Sequence, residues 1–305
     1  SLIEKGAVRI NERLVEKYKP RTKTYVKLSP LADDEAQLQI IFDKLEKAPR
    51  QLEKLMSYIS NSRRYSGQVE EVAKKTIIKE TGSLSGFDEL VKKKIFVVYD
   101  KKISRLPAFG GTNGKSDAIV LSKSQERAFK QVKAGFRTKD VMLLHGVTSS
   151  GKTEIYIKMI NEQLKQGKQV LYLLPEIALT TQIINRLSVH FKGRIGVYHS
   201  KYSDSERVEI WNSVLGLGGG NKYDVILGAR SALFLPFDDL GLVIIDEEHE
   251  NTFKQYDPAP RYHARDTAIY LAGIHGAKTL LGTATPSMES YNNAKNGKYG
   301  LVELF

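Results

Sequence analysis

Three observations predict an α/β chain: a RecA-like P-loop lobe with a parallel sheet, preceded by a small winged-helix (α+β) domain. First, Val141–Thr153 (VMLLHGVTSSGKT) runs from apolar residues into Gly146-x-x-x-x-Gly151-Lys152-Thr153, and Glu154–Lys165 then has helical spacing. Second, apolar, β-branched runs such as LVII and VILG recur downstream with helical stretches between most of them. That pattern suits parallel strands covered on both faces. Third, the first hundred residues read as amphipathic helices followed by a compact basic strand pair.

Composition narrows the function classes. At 305 residues, 41% hydrophobic and 27% charged, the chain is ordinary for a soluble protein of two domains with a sizeable core. No apolar run approaches the ~20 residues of a membrane span, and no signal-peptide layout opens the chain, so no membrane partner is expected. Without cysteine there are no disulfides and no thiolate zinc site in this segment, which suits a reducing cytoplasm. The net charge of +12 and pI near 9.5 favour a polyanionic partner, above all nucleic acid. A merely solvated basic surface is the alternative. The chain opens with Ser rather than Met, so a piece of a longer protein is expected.

The elements follow in order. GAVRI and TYVKL are candidate strands in residues 1–30. Asp33–Asp34–Glu35 starts a helix over Ala36–Lys47, with Leu38, Ile41, Phe42 and Leu45 on one face. Pro49 restarts a second helix, Arg50–Asn61, striped by Leu52, Leu55, Met56 and Ile59. A third helix is expected over Val69–Glu80 and a short one within Ser83–Lys94, acidic at its start and Lys-rich at its end. Ile95–Tyr99, Asp100–Lys102 and Ile103–Leu106 then read as strand, turn and strand. Residues 1–117 hold 24 Lys and Arg against 16 Asp and Glu, so most of the basic excess lies there. Lys92, Lys93 and Lys94, with Lys101 and Lys102 on the turn, are candidates for DNA phosphate contacts; guarding a strand edge is the competing role. The domain assignment is 1–106 winged-helix-like, 107–117 linker (PAFGGTNGKSD) and 118–305 RecA-like lobe. Strands of the lobe are expected at Val141–His145, Gln169–Leu174, Arg194–Ser200, Tyr223–Leu227, Leu240–Ile245 and Thr279–Gly282, and Gly216–Asn221 as a surface loop.

The chemistry concentrates at strand ends. Glycines at 146 and 151 let Thr148, Ser149 and Ser150 fold into a concavity of N–H donors at a helix N-terminus, where phosphate binds. Lys152 would reach the terminal phosphates of ATP, and the Thr153 hydroxyl would ligate Mg²⁺. Asp246-Glu247-Glu248-His249 ends another apolar strand as a Walker B element. Asp246 would hold Mg²⁺ through its water shell, and Glu247 would orient and deprotonate the attacking water. His249 has two readings, a relay of nucleotide state towards DNA or a structural hydrogen bond. In Gly282-Thr283-Ala284-Thr285-Pro286, the hydroxyls of Thr283 and Thr285 are placed to bond the Walker B carboxylates, with Thr285 also a candidate helix N-cap.

Together GVTSSGKT, LPEIALT, GARSALFLPF, DEEH and GTATPSMES resemble the superfamily 2 DNA helicases. RYHARD at 261–266 and the His199–Ser200 pair narrow this to the PriA family of bacterial replication-restart helicases. The resemblance covers residues 118–305, and the winged-helix order before them also fits. It implies that Gln125 reads the adenine, and that Pro175, Glu176, Thr180, Gly228, Arg230 and Ser231 line a single-strand path. Thr180 as a helix N-cap stays open; for Arg230 a guanidinium suits phosphate. ENTFKQYDPAPRYHARD is similar to the aromatic-rich loop that couples DNA binding to hydrolysis. Phe253, Tyr256 and Tyr262 interleave there with Lys254, Arg261 and Arg265, as base stacking plus phosphate pairing requires, although some rings could simply pack under the lobe. Ser149 stands where the family usually has Gly.

The resemblance further implies a 3′→5′ helicase acting on forked or single-stranded DNA, with single-stranded DNA-binding protein and primosome proteins as partners. It implies a second lobe with an arginine finger and a cysteine-rich zinc cluster elsewhere in the parent protein. An arginine finger is worth about 10³–10⁵ in turnover, so little hydrolysis is expected of this segment alone. A RecG-like or restriction-type translocase, or a DNA-binding module with an idle P-loop, are the alternatives.

Overall fold

A computed structural model of the chain describes residues 18–66, 69–106, 119–191, 193–217 and 222–305. The expected strand at GAVRI, the linker 107–117 and most of the 216–221 loop lie outside the described residues. Two compact units emerge, Lys19–Ser104 and a larger one from Arg105 to Phe305.

In the smaller unit, β1 (Thr22–Leu28) is the middle strand, antiparallel to both β2 (Val72–Ala73) and β3 (Phe96–Lys102). Helices α1 (Glu35–Leu45), α2 (Pro49–Ser62), α3 (Lys74–Glu80) and α4 (Phe87–Lys92) complete it. Asp34 caps α1 by accepting from the Gln37 N–H, and Pro49 opens α2 where no amide donor is needed. Val26, Leu38, Leu55, Ile77, Phe87 and Phe96 form the buried core.

Two expectations fail here. The helix expected over Val69–Glu80 begins only at Lys74, because Val72 and Ala73 pair with Val26 and Tyr25 of β1. The expected hairpin over 95–106 is also absent. Asp100–Lys102 continue one strand that pairs with β1 from Thr22↔Lys102 to Leu28↔Phe96. Thr24 Oγ1 donates to Asp100 Oδ1 at 2.7 Å, which holds Asp100 in the ladder rather than in a turn. Lys101 bonds Glu71 from within that strand at 2.5 Å. Lys92 to Lys94 stand apart from it at the end of α4, where Lys93 donates to Gln51 Oε1 at 2.8 Å.

The larger unit is a seven-stranded, wholly parallel sheet. Its strands are β4 (Val141–Gly146), β5 (Gln169–Leu173), β6 (Ile195–Tyr198), β7 (Val225–Gly228), β8 (Leu240–Asp246), β9 (Lys278–Thr283) and β10 (Gly300–Leu304), in the order β10-β4-β9-β8-β5-β7-β6. Helices α5 (Lys123–Gly135), α6 (Lys152–Lys165), α7 (Thr181–Phe191), α8 (Asp204–Val214), α9 (Ala264–Ile274) and α10 (Met288–Lys295) flank it. Side chains alternate between two cores, as a doubly covered sheet demands: Met142, Leu144 and Tyr172 enter one, Val141, Leu143, Leu171 and Leu173 the other. Six strands follow the expected runs. The seventh, β10, was missed; GLVEL is short and only its Val302 and Leu304 are buried. Because β4, β9 and β8 are adjacent and parallel, the segments that follow them emerge side by side at one edge of the sheet, where open α/β sheets bind ligands.

Candidate nucleotide site

The loop after β4 is shaped by what its glycines leave out. A Cβ on Gly151, whose φ is +85°, would lie 1.8 Å from Gln125 Nε2, and one on Gly146 would lie 2.9 Å from the Leu304 carbonyl oxygen. Ser149, in the place where glycine was expected, takes a left-handed φ of 66°. Gln125 completes a capping box at the start of α5 and donates to the Ser150 carbonyl at 3.2 Å, fastening that helix to the loop. Lys152, the first residue of α6, is buried and donates to the carbonyls of Gly146 (2.8 Å) and Val147 (3.3 Å).

These residues wall a cavity of about 470 Å³. Of those expected from sequence, Gln125, Thr148, Ser149, Gly151, Lys152, Thr153, Asp246 and Glu247 line it; Gly146 and Ser150 do not. A larger hollow of about 680 Å³ lies along the outer face of α5, lined by Leu121, Arg127 and Gln131 among others. None of the candidate residues named from sequence lines it, so the smaller cavity is the candidate site. Glu154 and Arg186, paired with each other, also line that cavity. Glu154 abuts Thr153 in sequence and could have been included on position alone. Arg186 comes from the middle of α7, and no local spacing points to it.

Asp246 closes the far side. Its Oδ1 accepts from the Tyr156 hydroxyl at 3.1 Å and from the Glu247 N–H at 3.2 Å, and its Oδ2 from the Tyr172 hydroxyl at 3.0 Å. Burial, then the Glu247 charge, raise the Asp246 carboxyl above its ordinary value; the two tyrosines and Lys152 oppose the rise. Burial, and then the charge of Asp246, push both tyrosines well up, so they act as donors. Neither tyrosine was singled out from sequence.

Glu247 and His249 follow in the turn after β8. His249 Nδ1 lies 2.8 Å from Thr283 Oγ1, its Nε2 3.3 Å from Thr285 Oγ1, and its Nδ1 3.7 Å from Glu247 Oε2. The threonine hydroxyls therefore meet the histidine, and it is tyrosines that bond Asp246. The N-cap alternative for Thr285 is overturned: Ser287 caps α10, accepting from the Ser290 N–H. Glu248, to which the sequence reading gave no role, is fully buried. It accepts from the Ser287 N–H (2.7 Å), Ser287 Oγ (3.1 Å), Ser290 Oγ (2.8 Å) and Arg265 Nη1 (3.0 Å).

The aromatic segment is a closed loop. Gln255 N donates to the Tyr262 carbonyl at 2.8 Å, and Gln255 Nε2 donates to the Pro258 and Pro260 carbonyls. Tyr256 is exposed with the Lys254 ammonium 4.9 Å from its ring centre, and Arg261 is exposed. Tyr262 is half-buried, edge-on to Phe234 at 5.4 Å. Arg230 donates to the Lys254 carbonyl at 2.9 Å. Two expectations are corrected. Phe253 is buried in the core beneath β8 and offers no ring face to a base. Arg265, expected to face phosphate, is buried against Glu248. Beyond β6, His199, Ser200 and Lys201 share a hollow of about 120 Å³ with Glu176 and Leu179.

Residues 122–294 match the DEAD/DEAH box helicase family, and residues 23–103 match the winged helix domain of PriA helicases of Bacteroidota. Replication restart protein PriA of Haemophilus influenzae is 48% identical over 183 residues, 59% of this chain and 24% of that protein. Replication restart protein PriA of Bacillus subtilis is 38% identical over 236 residues, 77% of this chain and 28% of that protein. The chain thus spans about a quarter of the length of the curated relatives it matches. A solved structure of RecG bound to a three-way DNA junction aligns over 88% of this chain and 31% of that one, at 19% identity and a TM-score of 0.43.

A carboxyl raised by folding binds its proton more tightly in the folded than in the unfolded chain. The resulting cost is absent below the unfolded carboxyl range, about pH 4, and present at neutral pH. Asp246→Asn, isosteric and neutral, is therefore expected to raise the melting temperature at pH 7 without metal. The gain should shrink as the pH is lowered through that range. A lower melting temperature at pH 7 would contradict the assigned cost of the buried charge.

Proposed function

The chain belongs to the DEAD/DEAH box helicase family, and on that premise we propose that it is the ATP-binding lobe, with a winged-helix unit, of a bacterial DNA helicase that restarts stalled replication forks. One observation carries the proposal: a single cavity places Lys152 and Thr153 opposite Asp246 and Glu247.

The site suits a nucleotide with Mg²⁺. The glycine-shaped loop meets the N-terminus of a 14-residue helix, which favours phosphate. Thr153 offers one hard oxygen ligand and Asp246 an acceptor for the cation's bound water, fitting a cation that keeps several waters and takes phosphate oxygens besides. MgATP would supply the terminal phosphate to be transferred and the cation that neutralises it. Lys152 then turns its ammonium from the loop carbonyls to the phosphate oxygens. Thr153 would hold the cation directly and Asp246 through its water, and Glu247 would orient and deprotonate the attacking water. His249, touching both Thr283 and Thr285 and close to Glu247, conveys the state of that site to the following segment.

DNA is the proposed partner of the other surfaces. Arg230, Lys254, Tyr256, Arg261 and Tyr262 lie on or beside the loop after β8, offering guanidinium and ammonium groups to phosphates and, in Tyr256, one exposed ring to a base. Lys92, Lys93 and Lys94 are the proposed phosphate contacts of the smaller unit. The 3′→5′ direction, the bacterial cytoplasm, and association with single-stranded DNA-binding protein and primosome proteins are part of the same proposal and rest on resemblance to the PriA relatives. No helix among the described residues is long and apolar enough to cross a membrane.

Lys152→Ala is expected to weaken binding of a fluorescent ATP analogue at least about tenfold. No measurable binding by the unaltered chain would sink the nucleotide assignment. In anisotropy with a labelled single strand, Tyr256→Ala should cost about 1–3 kcal/mol of affinity. Phe253→Ala should instead lower stability by about 3–5 kcal/mol, and the opposite assignment of the two losses would refute the placement of these rings. Each important lysine removed from 92–94 should flatten the salt dependence of DNA affinity by ~1 in slope; an unchanged slope returns them to a solvated surface.

A further inference from the structure

Two side chains that do not line the cavity shape it from behind. Tyr156 on α6 and Tyr172 on β5 have no exposed surface, and their rings meet edge to face at 5.6 Å. Phenylalanine would fill either place without a polar atom to satisfy. Both hydroxyls nevertheless reach one carboxylate and divide its oxygens, Tyr156 on Oδ1 at 3.1 Å and Tyr172 on Oδ2 at 3.0 Å. The neighbouring strand makes room for this: a Cβ on Gly282 of β9 would lie 1.6 Å from the Tyr156 hydroxyl.

The two oxygens are not equivalent. A carboxylate oxygen has about two acceptor sites. Oδ1 spends both, on Tyr156 and on the Glu247 N–H at 3.2 Å. Oδ2 spends one, so the remaining acceptor capacity of Asp246 is concentrated there. Bonds on both oxygens also stop the carboxylate from rotating about its Cβ–Cγ axis.

We propose that Tyr156 and Tyr172 are positioning residues that hold the Asp246 carboxylate with Oδ2 presented to the water shell of Mg²⁺. Two hydroxyls that never touch the nucleotide thereby set how strongly Mg²⁺ tightens its binding. This rests on the nucleotide assignment made above. Groups that orient a metal-binding carboxylate typically matter by about 10–100-fold in metal affinity.

The test is the affinity of the 305-residue chain for a fluorescent ATP analogue, measured in Mg²⁺ and in EDTA, for the unaltered protein, Tyr156→Phe and Tyr172→Phe. The expected result is equal affinity of all three in EDTA, loss of about tenfold of the Mg²⁺-dependent gain in each variant, and a Mg²⁺ half-saturation raised by about the same factor. Thermal melting of each variant accompanies the titration. Equal losses in EDTA and in Mg²⁺, with or without early melting, would assign the tyrosines to packing and overturn the inference. So would Mg²⁺ titrations that match the unaltered protein. An unaltered chain that binds nucleotide no better with Mg²⁺ than without would overturn the metal assignment itself, and the inference with it.

Discussion

The larger unit depends on one constraint, the parallel pairing of three adjacent strands in a fixed register. His145 stands beside Thr283, and Asp246 beside Gly282. Parallel strands end at the same edge, so the loop after β4, the acidic turn after β8 and the threonine segment after β9 have to emerge together. A slip of one residue in either pairing would reverse which side chains face each core. It would also pull Asp246 away from the tyrosines that hold it. The apolar packing on both faces thus fixes the distances between the polar groups at that edge as well as stability.

Polar side chains buried around the acidic turn add a second layer. Asp246 is bound by residues of α6 and β5, whereas Glu248, two positions later, is bound by residues of α9 and α10. The turn is therefore anchored on opposite sides by two sets of elements that share no member. A buried ion pair such as Glu248–Arg265 adds little net stability against an apolar replacement, but losing one partner leaves an uncompensated charge. Its effect is to tie the segment entering α9, which follows the aromatic loop, to the same turn that carries Glu247. Movement at the cavity beside Lys152 and movement of that loop then share a common pivot.

Local signals carried much of this architecture into the sequence. The strand–loop–helix around Gly146 and Lys152, the acidic strand end at Asp246 and the small-residue segment at Gly282 are each written in one short consecutive stretch, and each lies where its pattern places it. What escaped is non-local. The ring of Phe253 alternates with polar residues as an exposed aromatic would, and only the packing of β8 and α9 shows it to be buried. Arg265 reads as one more basic residue until Glu248 is found against it. Tyr156 and Tyr172 sit in apolar helix and strand patterns, where a hydroxyl is invisible to periodicity. The hairpin expected over 95–106 failed for a related reason: Asp100-Lys101-Lys102 has the composition of a turn, and the seven-residue ladder with β1 overrides it.

Gly282 and Tyr156 have consequences for how this lobe can change over generations. The glycine is held in place by an oxygen atom that belongs to a residue far away in the chain. An alanine there meets the Tyr156 hydroxyl first, and the ring carbon behind it at 2.8 Å. Removing the hydroxyl alone does not clear the space, so a side chain at 282 becomes tolerable only after the ring at 156 has shrunk or shifted. Such a pair enforces an order on substitutions. One position is closed to drift until the other has already moved, and a lineage that took the steps in reverse would pass through a lobe whose central strand and Asp246 carboxylate are both displaced.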